Sequence, residues 1–333
     1  MKILVTGGAG YIGSHTVVAL VEAGHEVVIV DDLSNSYRTS IQGIESIIGK
    51  KVEFHERDCN DIDFLDKLFS ESGFDGVIHF AASKLVGESV REPIKYYRNN
   101  VNTTLNILEM MVRHDVKNIV FSSTCAVYGQ PEQLPVTEET PIQQAESPYG
   151  NTKKINEDIL SDVSKTSAIT AIALRYFNVI GAHPSSKIGN NPNSPPESII
   201  PIINEYAVGK RDKLIVFGKD YDTPDGYQIR DYIHVMDLAR AHVTALEYAS
   251  KQQGGTFDTF NIGTGKGSSV MEIIKTYERV NDIKIKYEIG DPRPGDIVKT
   301  WADATKANEV LGWKAELTLE DSLRDDWNYT FRW

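Results

Sequence analysis

The sequence predicts an α/β protein in which a doubly wound parallel sheet is joined to a smaller mixed C-terminal domain. Short β-branched runs alternate with helical patterns through the first half of the 333 residues, and such alternation produces parallel sheets with right-handed crossovers. A glycine-rich turn separates the first predicted strand from the first predicted helix. After Asn178 the texture changes, since residues 181–197 are rich in Gly, Pro, Asn and Ser. We therefore expect one domain over 1–178 and a second over 179–333, some of whose strands and helices return to the main sheet.

The individual elements follow from periodicity and from residue type. Short apolar runs rich in β-branched residues predict buried strands at Lys2–Thr6, Val27–Asp31, Lys51–His55, Gly76–Ala81, Asn118–Ser123 and Thr170–Arg175. Helical spacing of apolar residues predicts helices at Tyr11–Ala23, Asp63–Ser70, Asn100–His114, Ser147–Ser164, Ser198–Val208, Val235–Ser250 and Val270–Val280. Residues 181–197 are predicted to form a long loop, and long loops in compact domains are commonly binding segments.

The composition excludes several classes of function. A net charge of -12 argues against nucleic-acid binding, which needs clustered Lys and Arg, but it allows a small anionic ligand held locally. The two cysteines, Cys59 and Cys125, have no metal-ligand spacing, so we expect reduced structural thiols and no metal site. Apolar runs such as Val27–Val30 are too short to span a bilayer. Strand-like sequence starts at Lys2 and leaves no room for a signal peptide, so we expect a soluble, cytoplasmic protein that does not bind membranes.

The glycine-rich turn predicts a dinucleotide site. Gly8, Gly10 and Gly13 satisfy the pattern G-x-G-x-x-G between a strand and a helix, where a pyrophosphate can approach the backbone and the helix N-terminus. Asp31 ends the second strand and can accept hydrogen bonds from a ribose diol, which favours NAD over NADP. Arg38, a few residues further on, leaves NADP as an alternative. Taken alone the turn could be an ordinary one, but its context favours a Rossmann-type fold that binds NAD.

Tyr149 and Lys153 form the candidate catalytic pair. They are four residues apart at the start of a predicted helix, so both side chains lie on one face. A tyrosine normally titrates near pH ~10, and a neighbouring ammonium together with a positive nicotinamide ring would lower its pKa. A surface tyrosine beside a solvated lysine is the plain alternative. The pair follows the strand end Ser122–Thr124 in a chain that already carries a dinucleotide turn, and this position favours catalysis.

Through these motifs the chain resembles the extended short-chain dehydrogenase/reductase family, and the resemblance runs nearly the whole length. The family is marked by Val5–Gly8, by His79–Ala82 and by Tyr149–Lys153. Four more specific segments are similar to its UDP-glucose 4-epimerase branch: Gly87–Val90, Arg175–Asn178, Arg230–Val235 and Trp301–Ala304. The resemblance implies an isomerase that uses NAD to epimerise a UDP-hexose at C4 through a 4-keto sugar. It also implies a homodimer that packs through helices near Asn100–His114 and Ser147–Ser164.

The resemblance further implies a role for each site residue. Tyr149 would be the base, Lys153 would bond the nicotinamide ribose, and Thr124 would bond the sugar 4-hydroxyl. The implied cofactor contacts are Gly7, Gly10, Tyr11, Ile12, Gly13, Asp31, Asn35, Asp58, Cys59, Phe80, Ala81, Lys84, Asn99, Ser122 and Tyr176. The implied substrate contacts are Lys84, Phe177, Asn178, Ser198, Ile199, Phe217, Arg230, Arg293, Asp296 and Thr300. Without the resemblance, Arg230 and Arg293 would be taken for surface or ion-paired arginines and Phe217 for a core residue.

Two positions depart from the branch pattern. Ser198 stands where many epimerases carry an asparagine, which puts a detailed diphosphate contact in doubt. Thr300 stands where some members that exclude N-acetylated sugars carry a tyrosine. The smaller side chain suggests that the enzyme accepts UDP-N-acetylglucosamine and UDP-N-acetylgalactosamine as well as UDP-glucose and UDP-galactose.

Three other functions are compatible with the same fold. A nucleotide-sugar 4,6-dehydratase typically places Asp-Glu just after the threonine, but Cys125 and Ala126 stand there and neither supplies a carboxylate. A decarboxylase acting on UDP-glucuronate is disfavoured because its usual glutamate at that site is absent. A non-catalytic NAD-binding regulator would usually have lost one residue of the Tyr149–Lys153 pair.

Overall fold

The main sheet of the protein is parallel and has seven strands. A computed structural model describes residues 1–191, 193, 195–292 and 297–332. The strands of this sheet lie in the order β10-β6-β5-β4-β1-β2-β3. Their bounds are β1 Lys2–Thr6, β2 Glu26–Asp31, β3 Glu53–Glu56, β4 Gly76–His79, β5 Asn118–Ser122, β6 Thr170–Tyr176 and β10 Phe257–Ile262. The order reverses direction at β1, where the chain runs outward to β2 and β3 on one side and to β4, β5 and β6 on the other. Ligands bind at such a switch point in open α/β sheets.

Helices cover both faces of this sheet. The α-helices in the described part of the chain, including those that pack on the smaller sheets, are α1 Tyr11–Glu22, α2 Arg38–Ile48, α3 Ile62–Ser72, α4 Val86–Arg91, α5 Pro93–Arg113, α6 Pro148–Thr166, α7 Ile199–Ala207, α8 Val235–Ala249, α9 Val270–Asn281 and α10 Leu319–Thr330. One apolar core joins α1 and α8 to the sheet, and a second core joins α3 and α5 to its opposite face. The predicted fold class, a Rossmann-type doubly wound sheet with a smaller mixed part, is confirmed.

The remaining strands form two small sheets beside the carboxyl edge of the main one. They are β7 Asn178–Ile180, β8 Leu214–Phe217, β9 Ile229–His234, β11 Gly267–Ser269, β12 Tyr287–Gly290 and β13 Lys299–Thr300. Strand β9 lies between β11 and β13 and also pairs with β7, while β12 pairs with β8. A third apolar core packs α7, α9 and α10 against these strands.

Several elements differ from the sequence predictions. Helix α5 starts at Pro93 rather than at Asn100, because proline is well tolerated in the first turn of a helix. Helices α2, α4 and α10 and strand β10 had not been predicted, and β10 and α8 join the main sheet although they follow the change of texture at 178. Within 181–197, the described residues form neither a helix nor a strand. No helix in the described part of the chain is both long and apolar enough to cross a membrane.

Candidate active site

The glycine turn after β1 provides a cradle that only glycine permits. Gly7 has a φ of +71°, and a Cβ on it would lie 2.8 Å from the Ala81 nitrogen at the end of β4. A Cβ on Gly13 would lie 2.2 Å from the Gly7 carbonyl oxygen. The turn leads into α1, whose first residues are Tyr11 and Ile12. A helix N-terminus offers N–H groups and a positive dipole end to an anion, so this cradle fits a pyrophosphate.

Asp31, the last residue of β2, closes the far side of that turn. Its Oδ2 accepts a hydrogen bond from the Ala9 N–H at 2.9 Å, and its Oδ1 accepts from the Leu33 N–H and the Ser36 hydroxyl, each at 2.9 Å. Burial raises the pKa of this carboxyl group above its ordinary value. The carboxylate therefore ties the glycine turn to the loop after β2, and a carboxylate at the end of the second strand can accept hydrogen bonds from a ribose diol.

The other predicted cofactor residues surround the same edge of the sheet. Asn35 follows Asp31 on its loop and is partly buried, whereas Asp58 is exposed and its Oδ1 accepts from the Asn60 N–H at 2.8 Å. Cys59 is buried, and burial raises the pKa of its thiol.

Phe80 and Ala81 follow β4, and Lys84 is exposed on the same loop. Asn99 of α5 donates to the Ser83 hydroxyl at 3.3 Å. A cavity of about 650 Å³ beside Asn99 is lined by Asn60, Ile62, Lys95, Arg98, Asn99, Asn102 and Asn106.

The predicted catalytic residues meet between β5 and α6. The Ser147 hydroxyl caps α6 by accepting from the Gly150 N–H at 3.2 Å, which places Tyr149 in the first turn. Its hydroxyl shares a hydrogen bond with the Thr124 hydroxyl. Lys153 lies one turn further on, is buried, and donates from Nζ to the Ser122 carbonyl oxygen at 2.6 Å. The geometry therefore brings Tyr149, Thr124 and Lys153 together as predicted.

Burial controls the electrostatics of this cluster. Burial raises the pKa of Tyr149 well above its ordinary value, and the hydrogen bond with Thr124 opposes that shift. Burial also lowers the pKa of Lys153 to about 7, while the carboxylate of Glu157 opposes the lowering. The lowering of the Tyr149 pKa by Lys153 together with a bound nicotinamide ring stays a prediction, and burial of the phenol opposes it.

A buried ion pair below the cluster escaped the sequence analysis. Glu157 and Arg175 are each about 5% exposed or less, and Arg175 donates from Nη2 to Glu157 Oε2 at 2.6 Å. Glu157 Oε1 also accepts from the Ser123 hydroxyl at 2.5 Å, and Arg175 Nη1 donates to the Tyr128 hydroxyl oxygen at 3.0 Å. Glu157 follows Lys153 by four residues, so a search for acidic residues on the same helix face would have found it. The pair fixes the strand end that carries Thr124.

The side chain of Tyr176 completes this cluster at the end of β6. Its hydroxyl group hydrogen-bonds to the Ser122 hydroxyl at 2.6 Å. Cys125 follows Thr124, and burial raises the pKa of its thiol to about 12, which keeps it protonated at neutral pH. Among the residues that the structure describes, no group of three or more His, Cys, Asp and Glu side chains is placed to hold a metal ion.

The predicted substrate residues lie on the small sheets. Arg230 of β9 pairs in register with Thr300 of β13, and its Nη1 donates to the Ile229 carbonyl oxygen at 2.9 Å. Asn178 of β7 pairs with Tyr232 of the same central strand. These three residues, far apart in sequence, are therefore joined by one sheet.

The remaining predicted substrate residues differ from one another in burial and in position. Phe177 is buried next to β7, and Phe217 ends β8 with 37% of its surface exposed. Ser198 occupies the N-cap position of α7 without a side-chain capping bond, and Ile199 is the first residue of the helix. Both line a small cavity together with Tyr11 and Asn178. Arg293 and Asp296 lie outside the described residues.

Comparison with known proteins matches this architecture throughout. The family model described as GDP-mannose 4,6 dehydratase matches residues 4–325. The chain is 48% identical over 330 residues to the UDP-glucose 4-epimerase of Bacillus subtilis, covering 99% of this chain and 96% of that protein. A crystal structure of the Bifidobacterium longum UDP-glucose 4-epimerase in complex with NAD⁺ and UDP superposes with a TM-score of 0.95, at 44% identity over 100% of this chain and 98% of that one. The UDP-Glc/GlcNAc 4-epimerase of Campylobacter jejuni gives a TM-score of 0.86, at 37% identity over 99% of both chains.

Proposed function

We infer the function of this chain from its family and its site: it belongs to the UDP-glucose 4-epimerases within the GDP-mannose 4,6-dehydratase family of extended short-chain dehydrogenases/reductases. It is an NAD-dependent isomerase that interconverts UDP-glucose and UDP-galactose. The observation that carries this conclusion is the meeting of Tyr149, Thr124 and Lys153 beside a glycine cradle at the carboxyl edge of the sheet. The two residues after Thr124 carry no carboxylate, so the acid and base that a dehydratase needs to eliminate water are missing there.

The residues of this cluster divide the work of moving hydrogen. When bound, NAD⁺ supplies the acceptor for the hydride from C4 of the sugar and later returns it. Tyr149 is the base that accepts the proton of the 4-hydroxyl group, and Thr124 hydrogen-bonds the same oxygen and relays that proton to Tyr149. Lys153 lies one turn along α6 from Tyr149 and donates to the Ser122 carbonyl oxygen. Its ammonium form beside the phenol would favour the phenolate, against the opposing effect of burial. The net reaction inverts one carbon centre and changes no overall oxidation state.

The cofactor is proposed to lie along the edge from the glycine turn to Tyr149. Gly7, Gly10, Tyr11, Ile12 and Gly13 would hold the pyrophosphate with Lys84 and Asn99 nearby. Asp31 and Asn35 would contact the adenosine ribose, Asp58 and Cys59 the adenine, and Phe80, Ala81, Ser122, Lys153 and Tyr176 the nicotinamide half. The buried carboxylate of Asp31 supports NAD rather than NADP, since it would repel a 2′-phosphate.

The UDP moiety is proposed to anchor on the small sheets while the 4-keto sugar turns over. Arg230 and Arg293 would hold the diphosphate with Asn178 and Ser198, Asp296 would bond the nucleotide ribose, and Phe217 would lie near the uracil. Phe177 and Ile199 would line the pocket. A guanidinium group suits this task because it can form two parallel hydrogen bonds with phosphate oxygens.

Acceptance of N-acetylated sugars is proposed from Thr300. This side chain is buried next to Arg230 in the sheet, and a threonine leaves more room for an acetamido group than a tyrosine would. We expect turnover of UDP-N-acetylglucosamine, and a Thr300→Tyr variant should lower its rate relative to that of UDP-glucose. Undetectable turnover of UDP-N-acetylglucosamine, both in the wild type and in Thr300→Ala, would remove the proposal.

Two further features of the assembly are proposals. Residues 1–178 would bind the cofactor, and residues 179–333 would bind the UDP-sugar.

A cytoplasmic homodimer would form when α5 and α6 of two copies pack as four helices. In support, Ile94, Leu105 and Val112 are apolar residues of α5 with 71%, 44% and 57% of their surfaces exposed. Light scattering should give twice the chain mass, and a Leu105→Glu/Val112→Glu variant should give the mass of one chain.

The direct test uses purified protein and UDP-galactose without added cofactor. Formation of UDP-glucose shows both the reaction and a tightly held NAD, and a rise in the reduced-nicotinamide absorbance band shows oxidation of the sugar. If no product forms even after NAD is added, the proposed function is wrong. Formation of a 4-keto-6-deoxy sugar would instead identify a dehydratase.

A further inference from the structure

We propose that Asp231 is a positioning residue that sets the affinity for the UDP moiety by fixing the two strands on either side of Arg230. The inference rests on the proposed function, because it assumes that Arg230 and Thr300 bind substrate. Asp231 itself is fully buried and faces away from that side of the sheet.

The carboxylate of Asp231 joins three segments of the chain. Its Oδ1 accepts from the Thr264 hydroxyl at 2.6 Å and from the Thr264 N–H at 2.9 Å. Its Oδ2 accepts from the Gly265 N–H at 3.1 Å and from the Ala302 N–H at 3.2 Å. Thr264 and Gly265 lead into β11, and Ala302 follows β13 directly after Trp301. One side chain on the central strand therefore clamps both neighbouring strands.

The same clamp determines where the substrate side chains stand. Successive residues of a strand point to opposite faces, so Arg230 and Asp231 project to opposite sides of β9. Thr300 of β13 and Ser268 of β11 both pair with Arg230. If the clamp loosens, the strands that flank Arg230 shift, and the spacing between its guanidinium group and the wall at Thr300 changes with them.

The surroundings of Asp231 show that the fit is tight. A Cβ on Gly263 would lie 2.5 Å from the Asp231 Oδ2 and 2.7 Å from the Ala302 Cβ, so glycine is needed for the close approach. Burial raises the pKa of the carboxyl group, and the hydrogen bonds from Thr264, Ala302 and Gly265 oppose that shift. Charge-assisted hydrogen bonds of this kind are stronger and more directional than neutral ones.

The test compares Asp231→Asn with a matched control, Asp237→Asn. Asp237, at the start of α8, is also a fully buried carboxylate. It accepts a hydrogen bond from the Leu317 N–H at 2.9 Å. The asparagine at 231 has one acceptor oxygen in place of two and presents an amide to donors, so at least one N–H loses its partner. We expect the Kd for UDP, measured by calorimetry on the NAD-containing enzyme, to rise about tenfold or more in Asp231→Asn and to stay unchanged in Asp237→Asn.

The kinetic constants separate positioning from general damage. In Asp231→Asn, the KM for UDP-galactose should rise by the same factor as the Kd. The kcat and the NAD content should change little, because Tyr149 and Lys153 lie on α6 and Thr124 follows β5. An unchanged Kd for UDP in a folded Asp231→Asn protein overturns the inference, and so does an equal loss in Asp237→Asn. A wild-type enzyme that binds UDP without epimerising UDP-galactose would refute the proposed function instead.

A milder variant covers the case in which Asp231→Asn does not fold. Thr264→Val removes the hydroxyl donor to Asp231 and keeps the charge and the backbone N–H bonds that Asp231 accepts. The Kd for UDP should then rise about threefold, the lower end of the effect of one hydrogen bond. A Kd equal to that of the wild type would overturn the inference by this route.

Discussion

Replacing Asp326 with asparagine is expected to stabilise the protein at neutral and alkaline pH. Asp326 of α10 is 3% exposed, and its Oδ2 accepts from Asn204 Nδ2 at 2.7 Å. Asn204 in turn accepts from the Tyr277 hydroxyl at 2.6 Å. Burial raises the pKa of Asp326 from 3.8 to about 6, because the single hydrogen bond from Asn204 does not offset desolvation of the charge.

The size of the effect follows from this shift. A rise of about two pKa units corresponds to roughly 3 kcal/mol as an upper limit. Because the pKa of Asp326 is raised in the folded state, its protonated carboxyl group contributes fully to the free energy of unfolding below pH 3.8. This contribution is lost as the pH rises through about 6. Asparagine cannot ionise, yet its oxygen still accepts from Asn204. The variant should therefore have a free energy of unfolding up to about 3 kcal/mol larger at pH 8 and about half that gain at pH 5.

Urea unfolding followed by circular dichroism at both pH values measures this difference. Asp212→Asn removes the same charge from an exposed position and controls for the change in net charge. A variant that is no more stable than the wild type at pH 8, or whose gain is the same at both pH values, would show that Asp326 does not carry a buried charge at neutral pH.

Four further variants test the catalytic cluster and its supports. Tyr149→Phe should lower kcat by about 10²–10⁴-fold while NAD stays bound, and near-normal turnover would mean that another group is the base. Gly13→Ala should reduce the NAD content of the purified protein, because its methyl group would lie 2.2 Å from the Gly7 carbonyl oxygen; an undiminished content speaks against the cradle. Glu157→Gln should cost about 3–5 kcal/mol in urea unfolding, since it leaves the buried charge of Arg175 without a carboxylate partner. Glu157→Gln/Arg175→Met should recover most of that loss, and equal instability of the two variants would contradict this account.

Local sequence signals sufficed for the cofactor half of the molecule. Strands β1 to β6 and the glycine turn are contiguous patterns, so periodicity and one motif located them. Helix α2 was missed because Gly43 interrupts its apolar spacing, and the reason for that glycine is tertiary: a Cβ there would lie 2.5 Å from the Lys187 carbonyl oxygen in the long loop. Strand β10 was missed because its pairing with β6 joins residues about 85 positions apart, which no local pattern records.

The spacing of residues in the sequence predicted which side chains share a helix face, but it did not predict the direction of their pKa shifts. The interval from Tyr149 to Lys153 placed both side chains on one helix face, and the structure agrees. The sign of the Tyr149 pKa shift depends on how much water the fold removes from the phenol, and burial is a property of the whole packing. Glu157 and Asp231 were missed as supports for the same reason, since a carboxylate at either position is typical of a solvated surface until the neighbouring strands are known.

The two halves of the site should consequently respond differently to mutation. The cofactor cradle is one strand, one turn and one helix in succession, so its geometry depends on short-range contacts and on the glycines themselves. The proposed substrate wall joins Asn178, Arg230 and Thr300 through the pairings of β7, β9 and β13, and its shape depends on how three distant segments are held together. Changes far from the sugar, at the hydrogen bonds that hold these strands, can therefore alter which UDP-sugar binds without disturbing NAD. If Arg230 and Thr300 bind the UDP-sugar as proposed, we expect substrate preference to depend on the packing of the small sheet as well as on the side chains that touch the ligand.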